Sequence, residues 1–339
     1  MNVKKNLIII GAGLSGLHTA FLLQDKFNIT ILEARNRLGG RILTTKGHDL
    51  GPSWIWSHQK NILRLIDELE LEIFSQFTQG DALYDSPQGV ERFNPPHSAP
   101  SSRVYGGLYQ LIKTLSAKLI STDIRLNQEV QSISEVDSLL QVQTDTHHFK
   151  ADYVISTLAP RLACEHISYE PALSDTARDT MLKTPTWMGH TAKCVIEFSE
   201  AFWRENRLSG FVFSHIGPLG EIHDASTAEQ PALFGFLHPK ASTSQIETDV
   251  KEQLKRLFGN KSDLMTNIYF IDWREERFSS SRHDYKGPIE HPSYGLELSH
   301  FSNKLFFIGT ETAYDNGGYL EGAIISSKTI TQRLRSIVL

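Results

Sequence analysis

The chain carries a glycine pattern, Gly11-Ala12-Gly13-Leu14-Ser15-Gly16, whose spacing suits the phosphates of a dinucleotide. It follows an apolar run at residues 6–10 and opens a stretch with apolar residues at 14, 17, 21 and 22. That is the strand–turn–helix context in which the pattern has meaning. Gly11 permits the tight turn, Gly13 lets backbone approach a pyrophosphate, and Gly16 lets helix and strand pack closely. The helix start then offers unpaired N–H groups and about half a positive charge. Glu33 ends a second apolar run, where its carboxylate can accept both hydroxyls of the adenosine ribose and would repel a 2′-phosphate.

NAD and FAD both fit that much. Leu38-Gly39-Gly40-Arg41 and then Asp49-Leu50-Gly51-Pro52-Ser53-Trp54 favour FAD. A cofactor that runs past its pyrophosphate toward a bulky ring needs backbone lying against it, and Arg41 can meet the phosphates or the chain leading to that ring. No second strand–GxGxxG–helix unit occurs, since Gly106-Gly107 and Gly317-Gly318 have the wrong spacing. A flavoprotein without an NAD site is an oxidase, or a dehydrogenase serving a separate acceptor.

The elements that must position these residues read as α/β. The expected fold is an FAD-binding Rossmann-type nucleotide domain with an inserted mixed-sheet α+β substrate domain. Residues 1–70, 103–178 and 290–339 are assigned to the first, and 71–102 and 179–289 to the second. Strands are expected at 6–10, 29–32, 124–126, 129–134, 139–144, 153–156 and 305–308, and helices at 14–26, 62–69, 104–119 and from about 319 onward. Between 180 and 290 longer alternating strands are expected at 192–198, 210–215, 232–236 and 268–273, with one helix at 248–258. The Pro/Ser-rich stretch 85–102 reads as a connector or surface loop. In 192–198, Ala192, Cys194, Ile196 and Phe198 share one face, and Lys193, Val195 and Glu197 the other. A lysine there is ordinarily solvated.

Composition narrows the class. With 339 residues, 40% hydrophobic and 22% charged, the chain is long enough for two domains. A formal net charge of −5 gives no basic footprint for nucleic acid. Cys164 and Cys194 are the only cysteines, so a reducing, cytoplasmic setting without disulfides is expected. The apolar run 7–10 is too short for a signal peptide and no stretch suggests a membrane span. The 14 histidines show no metal-ligand spacing, and Ser15 is not in a GxSxG elbow.

Three blocks then become specific: IIIGAGLSGLHTAFLL…ITILEARNRLGGRI…HDLGPSWI, HTAKCVIEFSEAFWRE and LFFIGTETAYDNGGYLEGAIISS. Together they resemble the flavin-containing amine oxidase family of monoamine and polyamine oxidases, related amino-acid oxidases and histone demethylases. The resemblance implies oxidation of a C–H bond next to a neutral amine nitrogen, with hydride or its equivalent going to flavin N5. The imine is then hydrolysed, and O2 reoxidises the flavin to give H2O2. It implies a small-molecule amine substrate. Lys193 matches the family lysine that holds a water near N5. Gly309, Thr310, Glu311, Gly318 and Tyr319 match segments that bracket the flavin ring, and Tyr319 one wall of the aromatic cage that orients the amine. Further cofactor contacts are expected at Leu14, Ser15, Ala34, Arg35, Val130, Thr157, Trp273 and Leu320.

The match departs from the family in places. Counted from Trp273, Arg282 falls where the mammalian enzymes attach flavin to a cysteine, so FAD is expected to be non-covalent. His283 falls at the second cage wall and is the expected third catalytic residue, with Tyr285 as the alternative. Arg282 or Arg204 could clamp the carboxylate of an amino-acid substrate. The region between Trp54 and Gly106 is brief, and the C-terminal membrane helix of the mammalian enzymes is expected to be absent. A smaller cap implies a more open site, or one completed by a second subunit of a homodimer. Two other readings stay open: a desaturase or protoporphyrinogen-type oxidase acting on a carbon frame, or a flavoprotein whose altered cage handles no free amine.

Overall fold

The computed structural model describes residues 4–96, 99–238, 241–287 and 290–338; His97 and Ser98 of the Pro/Ser-rich stretch lie outside that range. A six-stranded sheet runs in the spatial order Thr122–Arg125, Phe27–Leu32, Lys5–Ile10, Tyr153–Ser156, Leu305–Phe307 and Leu298–His300. Its first five strands are parallel and the last is antiparallel. The short apolar runs in the sequence follow from burial on both faces. Leu7, Ile9, Ile29 and Ile31 pack under helices that include Leu14–Leu23, Tyr109–Ala117 and Leu320–Val338. Ile8, Ile10, Val154 and Phe307 face a four-stranded sheet built from Val130–Val136, Leu139–Thr144, His148–Ala151 and Ser168–Glu170.

The first helix and the last are neighbours. Ser15 Oγ donates to the Ala323 carbonyl at 3.2 Å, and the His18 ring lies 2.5 Å from Ser327 Oγ. A Cβ added at Gly16 would sit 2.1 Å from the Gly11 carbonyl oxygen, so the helix approaches its own turn more closely than any side chain allows.

A seven-stranded sheet stands apart in topology, ordered Met265–Asp272, Ala192–Phe198, Ala232–Leu237, Leu219–Asp224, Leu208–Ser214, Asp81–Ser86 and Gly89–Phe93. Cys194, Ile196 and Phe198 pack with Val250 and Leu254 of the helix Ile246–Phe258 on one face. The other face, carrying Lys193 and Val195, is not solvated: every residue of Ala192–Phe198 is buried.

The stretch 85–102 departs from the connector expected of it. Asp81–Ser86 and Gly89–Phe93 form a hairpin on the edge of this sheet, and Ser101–Val104 pairs with Ile55–Trp56 and Ile73–Ser75. Of the prolines that suggested a loop, Pro87 sits in the hairpin's own turn, and Pro95, Pro96 and Pro100 lie between Gly89–Phe93 and Ser101–Val104, where no ladder bond is lost. The helix expected over 104–119 begins only at Tyr109, because Gly106 and Gly107 turn the chain with positive φ. The helices not anticipated include Pro160–His166 and Asp175–Lys183. The first starts on Pro160, whose preset φ and missing N–H cost nothing in a first turn.

Gly16→Ala is expected to lower stability by about 1–3 kcal/mol through overpacking against the turn. Urea unfolding followed by tryptophan fluorescence measures this, and an unchanged midpoint would contradict the close approach.

Candidate active site

A cavity of about 590 Å3 runs without a break from the N-terminal glycine turn to the seven-stranded sheet. That is within the range of cofactor and ligand sites. At one end it meets Gly11, Gly13, Leu14 and Ser15, then Glu33, Ala34, Arg35 and Val130. The helix Leu14–Leu23 has Gly13 as its N-cap with no side-chain cap, so its first-turn N–H groups face that end without a side-chain acceptor. A Cβ at Gly13 would meet nothing within 4 Å. The glycine therefore keeps open a space that backbone can offer to phosphate, and the residues present fit a dinucleotide.

Glu33 does two things. Its Oε2 accepts the Ala12 N–H at 2.8 Å and its Oε1 the Arg35 N–H at 2.9 Å, tying the glycine turn to the second strand. A carboxylate has about four acceptor sites, which leaves capacity toward the cavity. Arg35 reaches across to Glu276 at 2.8 Å and to Ser279 Oγ at 2.8 Å, joining the strand end to the segment after Trp273.

Midway, the lining passes through Gly39, Gly40 and Arg41, then Thr157, Gly309 and Thr310. Arg41 makes a two-point ion pair with the buried Glu311, 2.5 and 3.0 Å. Glu311 thus acts through Arg41 and does not itself line the cavity. Thr310 Oγ1 donates to the Tyr319 carbonyl at 2.6 Å, and the Gly318 N–H to the Thr310 carbonyl at 3.2 Å, which clasps the start of the last helix beside Leu320. Gly16 is set back against Gly11 and serves packing.

At the far end Gly51, Pro52, Ser53 and Trp54 meet Lys193. Lys193 is 1% exposed. Its Nζ donates to the Gly51 carbonyl at 2.9 Å and to Ser53 Oγ at 2.6 Å, and lies 4.1 Å from the centre of the Phe234 ring. Burial lowers its pKa to about 7; Asp49 opposes the shift and Arg103 adds to it. Trp273 closes the floor, donating from Nε1 to the Leu50 carbonyl at 3.0 Å.

Tyr319 stands in this wall between two aromatic rings: the edge of Trp56 at 5.7 Å, and His291 stacked in parallel at 5.1 Å. Trp187 leans on His291 at 4.6 Å and also lines the cavity. The expectation for His283 is corrected. Its ring is 54% exposed, lies 2.6 Å from Glu165, and belongs to a separate surface cavity with Arg282 and Cys164. The capping box at Ser281, with Asp284 closing it, starts a short helix that turns Arg282 and His283 outward. Tyr285 is also outside the cavity, its hydroxyl 3.4 Å from Glu275. Neither suggested carboxylate clamp is in the wall, since Arg204 is engaged with Asp224 at 2.8 Å.

Sequence reasoning missed Trp56, Trp187, His291, Phe234 and Phe236. Trp56 was within reach, because it follows Trp54 at the strand period in Pro52-Ser53-Trp54-Ile55-Trp56. His291 carried no signal, for only tertiary packing brings it to Tyr319. Among the described residues no cluster of metal ligands occurs and no helix is long and apolar enough to cross a membrane. Both cysteines are free and buried.

Residues 96–335 match the family described as flavin containing amine oxidoreductase, and residues 9–69 match an NAD(P)-binding Rossmann-like domain. The chain belongs to the flavin containing amine oxidoreductase family. Similar members include flavin-containing amine oxidase B of Mus musculus, 23% identical over 96% of this chain and 85% of that protein. Flavin-containing amine oxidase A of Equus caballus is 23% identical over 94% and 82%. In fold, the chain is similar to putrescine oxidase bound to putrescine, with TM-score 0.81 and 19% identity over 98% and 99% of the two chains. It is also similar to cyclohexylamine oxidase from Brevibacterium oxydans, with TM-score 0.80 and 17% identity over 98% and 100%. Membership of this family implies a flavin cofactor. The buried lysine lies where the dinucleotide end meets the aromatic end.

The Lys193 shift has a sign that can be checked. The folded protein holds this group near pKa 7 against 10.5 for an ordinary lysine, so the unfolded chain binds more protons between those values. Wild-type stability relative to Lys193→Met is therefore expected to rise as pH increases from about 7 to about 10.5 and to be flat below pH 6. Urea midpoints of both proteins across that range measure it. A constant difference would mean the amine is not desolvated.

Proposed function

We propose that this protein is an FAD-dependent amine oxidase that deaminates a small amine oxidatively: the C–H next to nitrogen is oxidised, the imine is hydrolysed, and O2 is reduced to H2O2. When bound, the flavin supplies the two-electron acceptor for that exchange. The observation that carries the reading is Lys193, a buried amine at the meeting point of the dinucleotide cradle and an aromatic chamber. Family membership supports the reaction class.

The chain's own residues have definable tasks. Residues 1–70, 103–178 and 290–339 are taken to hold the cofactor, and 71–102 and 179–289 to form the substrate side. The first-turn amides after Gly13 and the Arg41–Glu311 pair meet the phosphates and the linking chain, and Glu33 the ribose. Trp54, Trp56, Phe234 and Tyr319 exclude water and favour an amine in its neutral form, the form that can be oxidised. Lys193, titrating near neutrality, can carry or release a proton beside the reacting centre. Tyr319, backed by His291 and edged by Trp56, is the wall that orients the amine. The cofactor is held without a covalent bond: Cys164 and Cys194 are buried away from the cavity lining.

Purified protein is expected to be yellow, and acid precipitation should release the whole of its flavin into the supernatant. Anaerobic stopped-flow mixing with a panel of amines should bleach the flavin absorbance, and readmitted oxygen should restore it with one peroxide per turnover. Lys193→Met should keep FAD yet lose at least about 100-fold in turnover, the usual scale for a group assisting proton movement. Flavin-loaded protein that no amine bleaches would sink the reading and point to a dehydrogenase of carbon frames.

A further inference from the structure

Lys193, Phe236 and Glu221 form one row across three adjacent strands: Phe236 is the antiparallel partner of Lys193 on one side and of Glu221 on the other. Directly opposed residues of antiparallel strands leave the same face of a sheet. Glu221 therefore points to the cavity side, two strand spacings or about 10 Å from Lys193. It lines the cavity, and 44% of its side chain stays exposed. The neighbouring wall is Trp54, Phe234, Phe236 and Leu237, so a lone carboxylate here sits in an otherwise apolar chamber.

The acid is held in place. His223, two residues further along the same face, lies 2.5 Å from its Oε1 through Nε2. The His223 ring is itself stacked on Phe211 at 5.0 Å and Phe234 at 5.3 Å, and meets the edge of Trp54 at 4.8 Å. That hydrogen bond lowers the Glu221 pKa, which keeps the group anionic. Among the described residues its Oε2 accepts no hydrogen bond. The arginines that line the cavity are already matched, Arg35 by Glu276 and Arg41 by Glu311, so among the described residues no unpaired arginine lines it to take a carboxylate. The chamber therefore favours a cation at the end of the substrate remote from the reacting, neutral amine.

We propose that Glu221 receives a second ammonium group of the substrate, so that the substrate class is a diamine or polyamine oxidised at one end and anchored at the other. This rests on the amine-oxidase reading given above. His223 is a positioning residue: it aims Glu221 and does not meet the reacting atoms.

Flavin-loaded protein mixed anaerobically with putrescine, cadaverine, spermidine and butylamine tests the proposal through kcat/KM for flavin reduction. The best diamine or polyamine is expected to exceed butylamine by roughly 10- to 100-fold, the worth of one charge-assisted hydrogen bond. Glu221→Gln should erase most of that ratio, Glu221→Asp should retain part of it, and His223→Gln should reduce it less than Glu221→Gln. Butylamine oxidised as fast as every diamine, or a ratio unmoved within two-fold in Glu221→Gln, would overturn the assignment while leaving amine oxidation standing. A flavin that none of these amines, nor any in a broad panel, reduces would bring down the amine-oxidase reading and this proposal with it.

Discussion

The structure turns on a lysine held out of water. An ammonium in an apolar interior costs several kcal/mol unless its donors are matched. Here the Gly51 carbonyl, the Ser53 hydroxyl and the Phe234 ring supply the match. Those partners belong to different elements. Gly51 and Ser53 follow the glycine-rich segment of the N-terminal part, whereas Lys193 and Phe234 stand on the seven-stranded sheet. The lysine can be buried only if the sheet lies against that segment, and docking the two makes the wall where cradle and chamber meet. The floor is fixed in the same way, by Trp273 reaching the Leu50 carbonyl.

Seen from the sequence, the nucleotide part was the more legible, for a physical reason. Strands buried on both faces must be apolar throughout, and a turn that carries backbone against phosphate must be glycine, so Lys5–Ile10, Gly11–Gly16 and Glu33 announce themselves locally. The two faces of Ala192–Phe198 were likewise separable by alternation. What alternation does not carry is what lies opposite each face. Lys193 looks like a solvated strand residue until the Gly51–Trp54 segment is laid over it. The hairpin of Asp81–Ser86 and Gly89–Phe93 hid behind prolines that belong to its own turn and to the loop after it.

The same limit explains His283. Counting along the chain from Trp273 assumes that the path is shared with relatives, yet Ser281 and Asp284 cap a short helix that turns the following side chains outward. The ring at Tyr319 comes instead from His291. Register can be inherited over a strand, where pairing pins each residue, but not over a loop, where one cap redirects the chain. The row of Lys193, Phe236 and Glu221 is the converse. Pairing alone puts those three side chains on a common face, although they are far apart in sequence.

The Arg41–Glu311 pair and the contacts of Ser15 and His18 with the last helix join opposite stretches of the polypeptide. A ribosome delivers the glycine turn first, and its partner helix, Leu320–Val338, follows only long afterwards. Until then the bonds of Ser15 and His18 to that helix are unmade, although the opening helix already has the early strands and Tyr109–Ala117 to lie on. The glycine turn thus takes shape early, whereas the wall made by Gly309, Thr310, Gly318 and Tyr319 comes late, so a nascent chain stalled before residue 305 would carry only part of the cavity lining.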